Sequence, residues 1–546
     1  MADTPPNPAS PAQARIVGIA SAIWAVSIFL SRVMGLVREQ IIGRTLGASR
    51  EADLYFASFT LPDFLNYLLA AGALSIVFIP IFLSYRQRGE DDRGWQAFSV
   101  IANFILIVGS IAIALAMVFA RPLTGVVAPG FTQPEEVDTL VRLMRIVLPA
   151  QIFHVIGGLL SAVLQAQDRH FLPAMAPLVY SAAIIIGGLV GAHLGMGADG
   201  FAWGVLAGSI LGPFGLPLYG CLKTHMRWHP LLSLRNPDLR RYLYLSAPIM
   251  VGFSIVVVDE WIIKNQASFL AEGALSHLQY ARTLMKVPIG VFGMAVGVGA
   301  YPTISRMVAA GSVAEAYGVL RHAVRIVLVA TFAAQVCLTL AGFEIVYLIW
   351  GAFGSRFSID DAQATATALV FLCLGLAGWA TQTVISRGFY ALGRTWLPTI
   401  VGTLVTGIVV PLYIAMREYG GATGLAIASS VAILVYVLVL GWLQHRHFER
   451  EAKERGTHLD KAQGMLDAAV RLGLAAGVAI GIGLLLRSLM LPFLPGMEIL
   501  ILLARAALLC AVGTGIYVLL AWLLGVAEIG ELWRMILRRI RRQPAQ

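Results

Sequence analysis

The residues best equipped for chemistry are charges lodged in apolar surroundings. Ser31-Arg-Val-Met-Gly-Leu-Val-Arg-Glu39 sets Arg32 and Arg38 inside an otherwise apolar stretch, and Arg282 and Lys286 stand four residues apart in a second one. An ionisable group within a membrane span costs roughly 3 kcal/mol or more unless it pairs or reaches water, so each of these needs an account. Arginine forks match phosphate oxygens and lysine adds a point charge, so the anion such a set would grip is a diphosphate. The plainer account has Arg32 and Arg38 snorkelling to an interface and Arg282 with Lys286 serving topology. Arg32 and Glu39 are seven apart, hence on nearly one helical face where they can neutralise each other, and Gly35 between them offers a bend. In Val256-Val-Val-Asp-Glu-Trp-Ile-Ile-Lys264, Glu260 precedes Lys264 by four, the favourable order, and the two are expected to pair. Asp259 lacks an evident local partner. It is a candidate for coupling to Na⁺ or H⁺, for a salt bridge that switches, or for pairing with an arginine of another span.

The elements that must carry these charges follow from composition. Of 546 residues, 58% are hydrophobic and 13% charged, against roughly 45–50% and about 25% in a soluble domain. So few charges cannot cover a soluble surface, and the apolar residues fall in runs near the 20 that a helix needs to cross a bilayer. The expected fold is an all-α polytopic membrane protein of about fourteen spans. They run near 16–47, 52–83, 95–120, 140–167, 172–194, 198–222, 239–269, 275–309, 315–349, 361–391, 396–416, 421–445, 465–488 and 497–525. Several exceed what a perpendicular helix needs, which predicts tilted or broken helices. One side of this arrangement holds 22 Lys and Arg, in the loops and tail between Arg86 and Arg542; the other holds five, Arg44, Arg50, Arg121, Arg356 and Arg417. The positive-inside rule puts the rich side and both termini in the cytoplasm. The net charge of +10 thus sits in topology-setting loops, which speaks against nucleic acid as a partner. The basic amphipathic stretch Leu532–Arg542 suits anionic membrane lipids.

Other motifs read as structural. Cys221, Cys337, Cys373 and Cys510 lie singly in apolar segments and are read as packing residues. Ser358-Ile-Asp-Asp361 fits a helix N-cap with acids in the first turn, His154 a satisfied core histidine, and Asp91-Asp92 a solvated loop. No Gly-rich phosphate loop, zinc motif or nucleophile triad stands out. A membrane glycosyltransferase would want acids or a base in a large outer loop, and no expected outer loop exceeds about 20 residues. The chain reads as a transporter, not an enzyme, with no metal site.

The chain also repeats itself. Ala166-Gln-Asp-Arg-His-Phe-Leu-Pro173 recurs as Ala391-Leu-Gly-Arg-Thr-Trp-Leu-Pro398, an offset of 225; Gly197-Ala-Asp-Gly200 recurs as Gly421-Ala-Thr-Gly424, and Leu61-Pro62 as Val287-Pro288. The offset covers six spans, an even number, so the two copies enter the membrane in the same sense. That predicts two parallel six-helix lobes about a central cavity, the layout of alternating access. The expected domains are a disordered tail over 1–14, an N-lobe over 15–230, a C-lobe over 231–450, spans 13–14 within 451–530, and the basic tail 531–546.

The stretch from Ser31 to Tyr85 resembles the MurJ (MviN) family of lipid II flippases, within the multidrug/oligosaccharidyl-lipid/polysaccharide exporter superfamily. The resemblance rests on Ser31–Arg38, Leu46-Gly-Ala48, Ala52-Asp53, Leu61-Pro62 and Gly72-Ala-Leu-Ser75, joined by Val287-Pro-Ile-Gly-Val-Phe-Gly293 and Tyr301-Pro-Thr-Ile-Ser-Arg306. It implies a flippase that carries undecaprenyl-diphosphate-linked peptidoglycan precursor across the bacterial cytoplasmic membrane, with a groove for the lipid tail at spans 13–14. It also implies substrate-binding roles for Arg32, Arg38 and Asp53, the last at the outer end, with Arg282 and Lys286 as the second lobe's grip. Asn66 and Tyr67 stand where the family has basic residues, Ala71 where it has an acid, and Thr283 where its span 8 arginine falls, with Arg282 one position earlier. The alternatives are a flippase for another polyprenyl-linked oligosaccharide and a multidrug exporter; the latter would want an acidic or aromatic cavity. The expected protein is a monomer without a cofactor, driven by Na⁺ or H⁺ coupling at Asp259 or by the membrane potential.

Overall fold

The computed structural model describes residues 30–70, 77–251, 255–352, 356–459 and 464–530, and among these every regular element is helical. The tails 1–14 and 531–546 and the segment Ala71–Ser75 lie outside the described residues. Among the described residues, nine helices are long and apolar enough to cross a membrane, ten when Ile359–Cys373 and Leu376–Ala391, bent by 44°, count as one span. The 59-residue stretch Trp396–Glu454 is itself interrupted at Gly421, with φ 53° and ψ −133°, where spans 11 and 12 were expected to join. Expected spans 1, 2 and 7 each run into residues outside the described set. The architecture accords with the expected fourteen spans.

Contacts divide the chain into two units. The first takes Met1–Thr45, Ala57–Val127 and Thr132–Val251; the second takes Leu46–Phe56, Ala128–Phe131 and Gly252–Gln546. Two short pieces early in the sequence therefore pack with the later half.

In the first unit α1 covers residues 30–46 and is helical throughout, Gly35 included. The next helix, α2 (Arg50–Ser58), lies mostly in the second unit's piece Leu46–Phe56, and the first unit continues with α3 (Thr60–Ala70), α4 (Ile79–Arg86), α5 (Asp91–Val118), α6 (Ala120–Val127), α7 (Pro134–Val147) and α8 (Ala150–Ala166). Phe78, Phe82, Trp95 and Phe98 pack edge-on or tilted against one another and bury the seam between α4 and α5. At its Lys- and Arg-rich end, the Tyr85 hydroxyl donates to both carboxylate oxygens of Asp238 at 3.0 Å. Partial burial and that carboxylate raise the phenol above its ordinary pKa, which keeps it a donor. The helices α9 (Phe171–His193) and α10 (Ala198–Ser209) meet through glycines, and a Cβ on Gly191 would lie 2.5 Å from the Gly200 Cα. Small residues let the backbones touch, the usual means of packing where lipid removes the hydrophobic drive. A π-helical turn, Ile210–Gly215, holds Pro213 and leads into α11 (Leu216–Lys223); α12 (Pro237–Val251) closes the unit.

The second unit holds α13 (Ile255–Ala267), α14 (Ala274–Pro288), α15 (Ala295–Ala309), α16 (Val313–Leu340), α17 (Gly342–Val346), α18 (Ile359–Cys373), α19 (Leu376–Ala391), α20 (Trp396–Glu454), α21 (Met465–Met490) and α22 (Ile499–Leu523). After Pro288 the helix passes into a π-helical turn over Ile289–Met294. Ser358 caps α18 in a reciprocal capping box with Asp361. His154 of the first unit bonds through Nδ1 to the Ala150 carbonyl, as a core histidine should.

The sequence repeat is also a backbone repeat. Gly197 holds φ 54°, ψ −125°, close to the angles of Gly421, a region open in practice only to glycine. Asp168 and its counterpart Gly393 both lie at positive φ, 58° and 72°. In each copy, the turn before one span and the turn after it are built alike.

Candidate functional site

The site residues expected from the sequence fall into one constellation in the first unit and two in the second. In the first unit, Arg32 is exposed on α1, and Arg38, one and two-thirds turns further, donates from Nη2 to Glu39 Oε1 at 2.8 Å. The carboxylate expected to face Arg32 therefore answers Arg38.

Asp53 lies in the second unit, only 1% exposed. Its Oδ2 accepts the Gly273 N–H at 2.8 Å, and its Oδ1 accepts both the Ser276 N–H at 2.8 Å and the Ser276 hydroxyl at 2.6 Å. Gly273 is the N-cap of α14 and Ser276 its third residue. The aspartate thus caps a helix 220 residues away, taking two of the backbone donors a helix start leaves over and placing negative charge at the positive end of the dipole. Gly273 holds φ +82°, and a Cβ there would come 2.5 Å from the Ala48 carbonyl. The Tyr280 hydroxyl donates to the Gly47 carbonyl at 2.9 Å, and the Arg50 N–H donates to Glu272 Oε1 at 2.9 Å. The block Leu46-Gly-Ala48 and Ala52-Asp53 is, in structure, the seat of α14.

Two and three turns along α14 from that seat stand Arg282 and Lys286. Arg282 is 3% exposed, and its Nη2 donates to Asp259 Oδ2 at 2.5 Å. The other Asp259 oxygen accepts from the Tyr413 hydroxyl, and Ser429 Oγ donates to Asp259 at 3.1 Å. The guanidinium carbon also sits 5.8 Å from the centre of the Trp379 ring. Of the three roles open to Asp259, the structure draws the pairing with an arginine of another span. Beside it, Lys286 Nζ donates to Glu260 Oε2 at 2.8 Å, while Lys264 lies 3.7 Å from Oε1, the expected i,i+4 pair. Three cations and two acids leave this α13–α14 cluster one positive charge in excess. Lys286 is its accessible member, with half its side chain exposed.

Tyr413, Ser429 and Trp379 were not expected here, and neither was the capping role of Ser276. A hydroxyl or an indole inside an apolar run carries no sign of which acid it will meet. Another set could have been found by the rule applied to Arg32. Glu344 of α17 is fully buried and accepts from Arg487 of α21 at 3.1 Å and from Arg505 of α22 at 2.9 Å. Arg325 of α16 pairs with Glu528 at 2.5 Å. These pairs tie the last two spans to the second unit.

Comparison with known proteins sets this geometry in context. The sequence model described as lipid II flippase MurJ matches residues 42–504. A lipid II flippase MurJ of Burkholderia cenocepacia is 30% identical over 437 residues, 77% of this chain and 83% of that protein. A probable lipid II flippase MurJ of Rhizobium tropici is 26% identical over 525 residues, covering 94% and 95%. Among solved structures, a lipid II flippase MurJ in an inward closed conformation superposes with a TM-score of 0.73 at 21% identity, covering 91% of this chain and 98% of that one. An inward-facing multidrug transporter of the MATE family reaches 0.65 at 15% identity, covering 80% and 99%, which is a likeness of fold.

Proposed function

The chain belongs to the lipid II flippase MurJ family, and on that premise we propose that it carries lipid II, the undecaprenyl-diphosphate-linked peptidoglycan precursor, from the inner to the outer leaflet of a bacterial cytoplasmic membrane by alternating access. It works as a monomer with both termini in the cytoplasm. The observation that carries the chemical part of this reading is the cationic excess of the α13–α14 cluster on a helix seated by Asp53. Arg32 and Arg38 supply the first grip on the diphosphate, and Lys286, already half exposed, supplies the second.

Arg282 takes part by exchange. A phosphate oxygen must replace Asp259 on its guanidinium, because leaving either partner buried and unpaired costs several kcal/mol. Asp259 then becomes free to take Na⁺ or H⁺, so loading the substrate and loading the ion are one event, and the membrane potential acts on the charge that moves. Asp53 governs the outer end through the start of α14. The groove at α21 and α22 takes the polyprenyl tail.

The test is a flipping assay in proteoliposomes, with fluorescent lipid II read by outer-face quenching. Arg32→Ala and Arg38→Ala should abolish flipping at unchanged membrane insertion. Loss of inserted protein in step with loss of flipping would instead assign both arginines to topology.

A further inference from the structure

The first unit carries a second polar site, apart from the charged groups proposed to hold the substrate. A pocket of about 330 Å³ opens between the α8–α9 turn and the end of α11, lined by Leu164, Leu172 and Phe171 and by the charged groups of Asp168, Arg169 and Lys223. Asp168 and Arg169 form no ion pair among the described residues, and the Lys223 ammonium lies only over the Tyr219 ring, 4.6 Å from its centre. All three charged side chains are exposed beside the apolar wall, where one lipid can meet them with its headgroup and the wall with its acyl chains.

The sequence repeat supplies an internal control. In the second copy Arg394 stands for Arg169 and is answered by Glu451 at 3.6 Å, and Gly393 stands for Asp168. Both residues hold positive φ, which glycine adopts freely and aspartate at a cost. The first copy thus keeps a carboxylate where the backbone would prefer glycine, and lacks the acid that would neutralise its arginine.

We propose that the Asp168–Arg169–Lys223 pocket binds the headgroup of an aminophospholipid of the cytoplasmic leaflet. Arg169 and Lys223 hold its phosphate, Asp168 accepts from its primary ammonium, and Leu164, Leu172 and Phe171 flank its acyl chains. The pocket lies on the side rich in Lys and Arg, so the inner leaflet is the one it meets. A choline headgroup carries no N–H for Asp168, and a glycerol headgroup carries no cation, so the carboxylate distinguishes phosphatidylethanolamine from both.

Native mass spectrometry of the full chain with equimolar phosphatidylethanolamine, phosphatidylglycerol and phosphatidylcholine of matched chains tests this. Phosphatidylethanolamine should be retained about fivefold over the other two, the scale of one partly exposed charged contact. Asp168→Gly, which copies Gly393, and Asp168→Asn should each lower it to the level of phosphatidylglycerol. Arg169→Gln combined with Lys223→Gln should lower retention of all three lipids, since each carries the phosphate. Equal retention of the three lipids by the unmodified chain, or a preference that survives both Asp168 variants, would overturn the proposal. Because Asp168→Gly relieves the backbone, a folding defect cannot account for its loss of lipid.

Discussion

Replacing Asp53 by asparagine probes the seat of α14 at constant side-chain size. The carboxylate accepts three hydrogen bonds, from the N–H groups of Gly273 and Ser276 and from the Ser276 hydroxyl. An asparagine offers one acceptor oxygen and must turn its NH₂ toward one of those donors. One charge-assisted bond is lost, worth about 1.5–3 kcal/mol, together with a charge at a buried helix start worth up to ~2 kcal/mol. Taking about 3 kcal/mol as the total, the docked first turn loses roughly a hundredfold in its closing equilibrium. Hydrogen exchange reads this directly: amide protection over Gly273–Ser276 should fall by about a hundredfold in Asp53→Asn. Ser276→Ala keeps both backbone bonds and forfeits only its hydroxyl, so protection there should fall by about tenfold, the worth of ~1.5 kcal/mol, the low end for a bond to a charged group. Unchanged protection in Asp53→Asn, or a larger effect from Ser276→Ala, would refute the capping argument.

Three further outcomes follow from the same geometry. Asp259→Ala and Arg282→Ala each strand a buried charge, so each should cost about 3–5 kcal/mol, while the double substitution should cost less than their sum; additive falls in Tm would deny that the two form one unit. Glu344→Gln leaves Arg487 and Arg505 facing a neutral amide, and hydrogen exchange should quicken over Met465–Leu523 while α9 and α10 keep their rates. Gly191→Val places a side chain 2.5 Å from the Gly200 Cα, so the yield of folded protein should drop sharply on gel filtration, and a normal yield would mean that α9 and α10 are not packed through their glycines.

Much of the fold could be read before any coordinates, because bilayer physics writes it along the chain. Hydrocarbon accepts a spanning segment only when its backbone is satisfied from within, so span number and sense follow from apolar runs and from the sidedness of Lys and Arg. The repeat was visible for a related reason. Gly197 and Gly421 occupy a backbone region that other residues do not enter, so two copies of one turn must keep the same letter. Local pairs were equally open to reading: Glu260 with Lys264, and Ser358 with Asp361, lie within one helical turn, where chain geometry alone brings them together.

The site is where sequence reasoning ran short, and the shortfall has one cause. A buried charge announces that it has a partner but not which one, because partners from different spans are brought together by packing that no local pattern encodes. Asp259 met Arg282 across 23 residues, and Asp53 met the start of α14 across 220. The consequence reaches function. A set of cations chosen by residue type looks like a ready-made diphosphate grip, yet three of them already answer acids, Arg38 with Glu39, Arg282 with Asp259 and Lys286 with Glu260. Of the two cations proposed for the second grip, Lys286 is half exposed while Arg282 is buried against Asp259 and would have to give up that acid to meet a phosphate. Charge counting thus names the candidates, and pairing shows which acid each must leave in order to act.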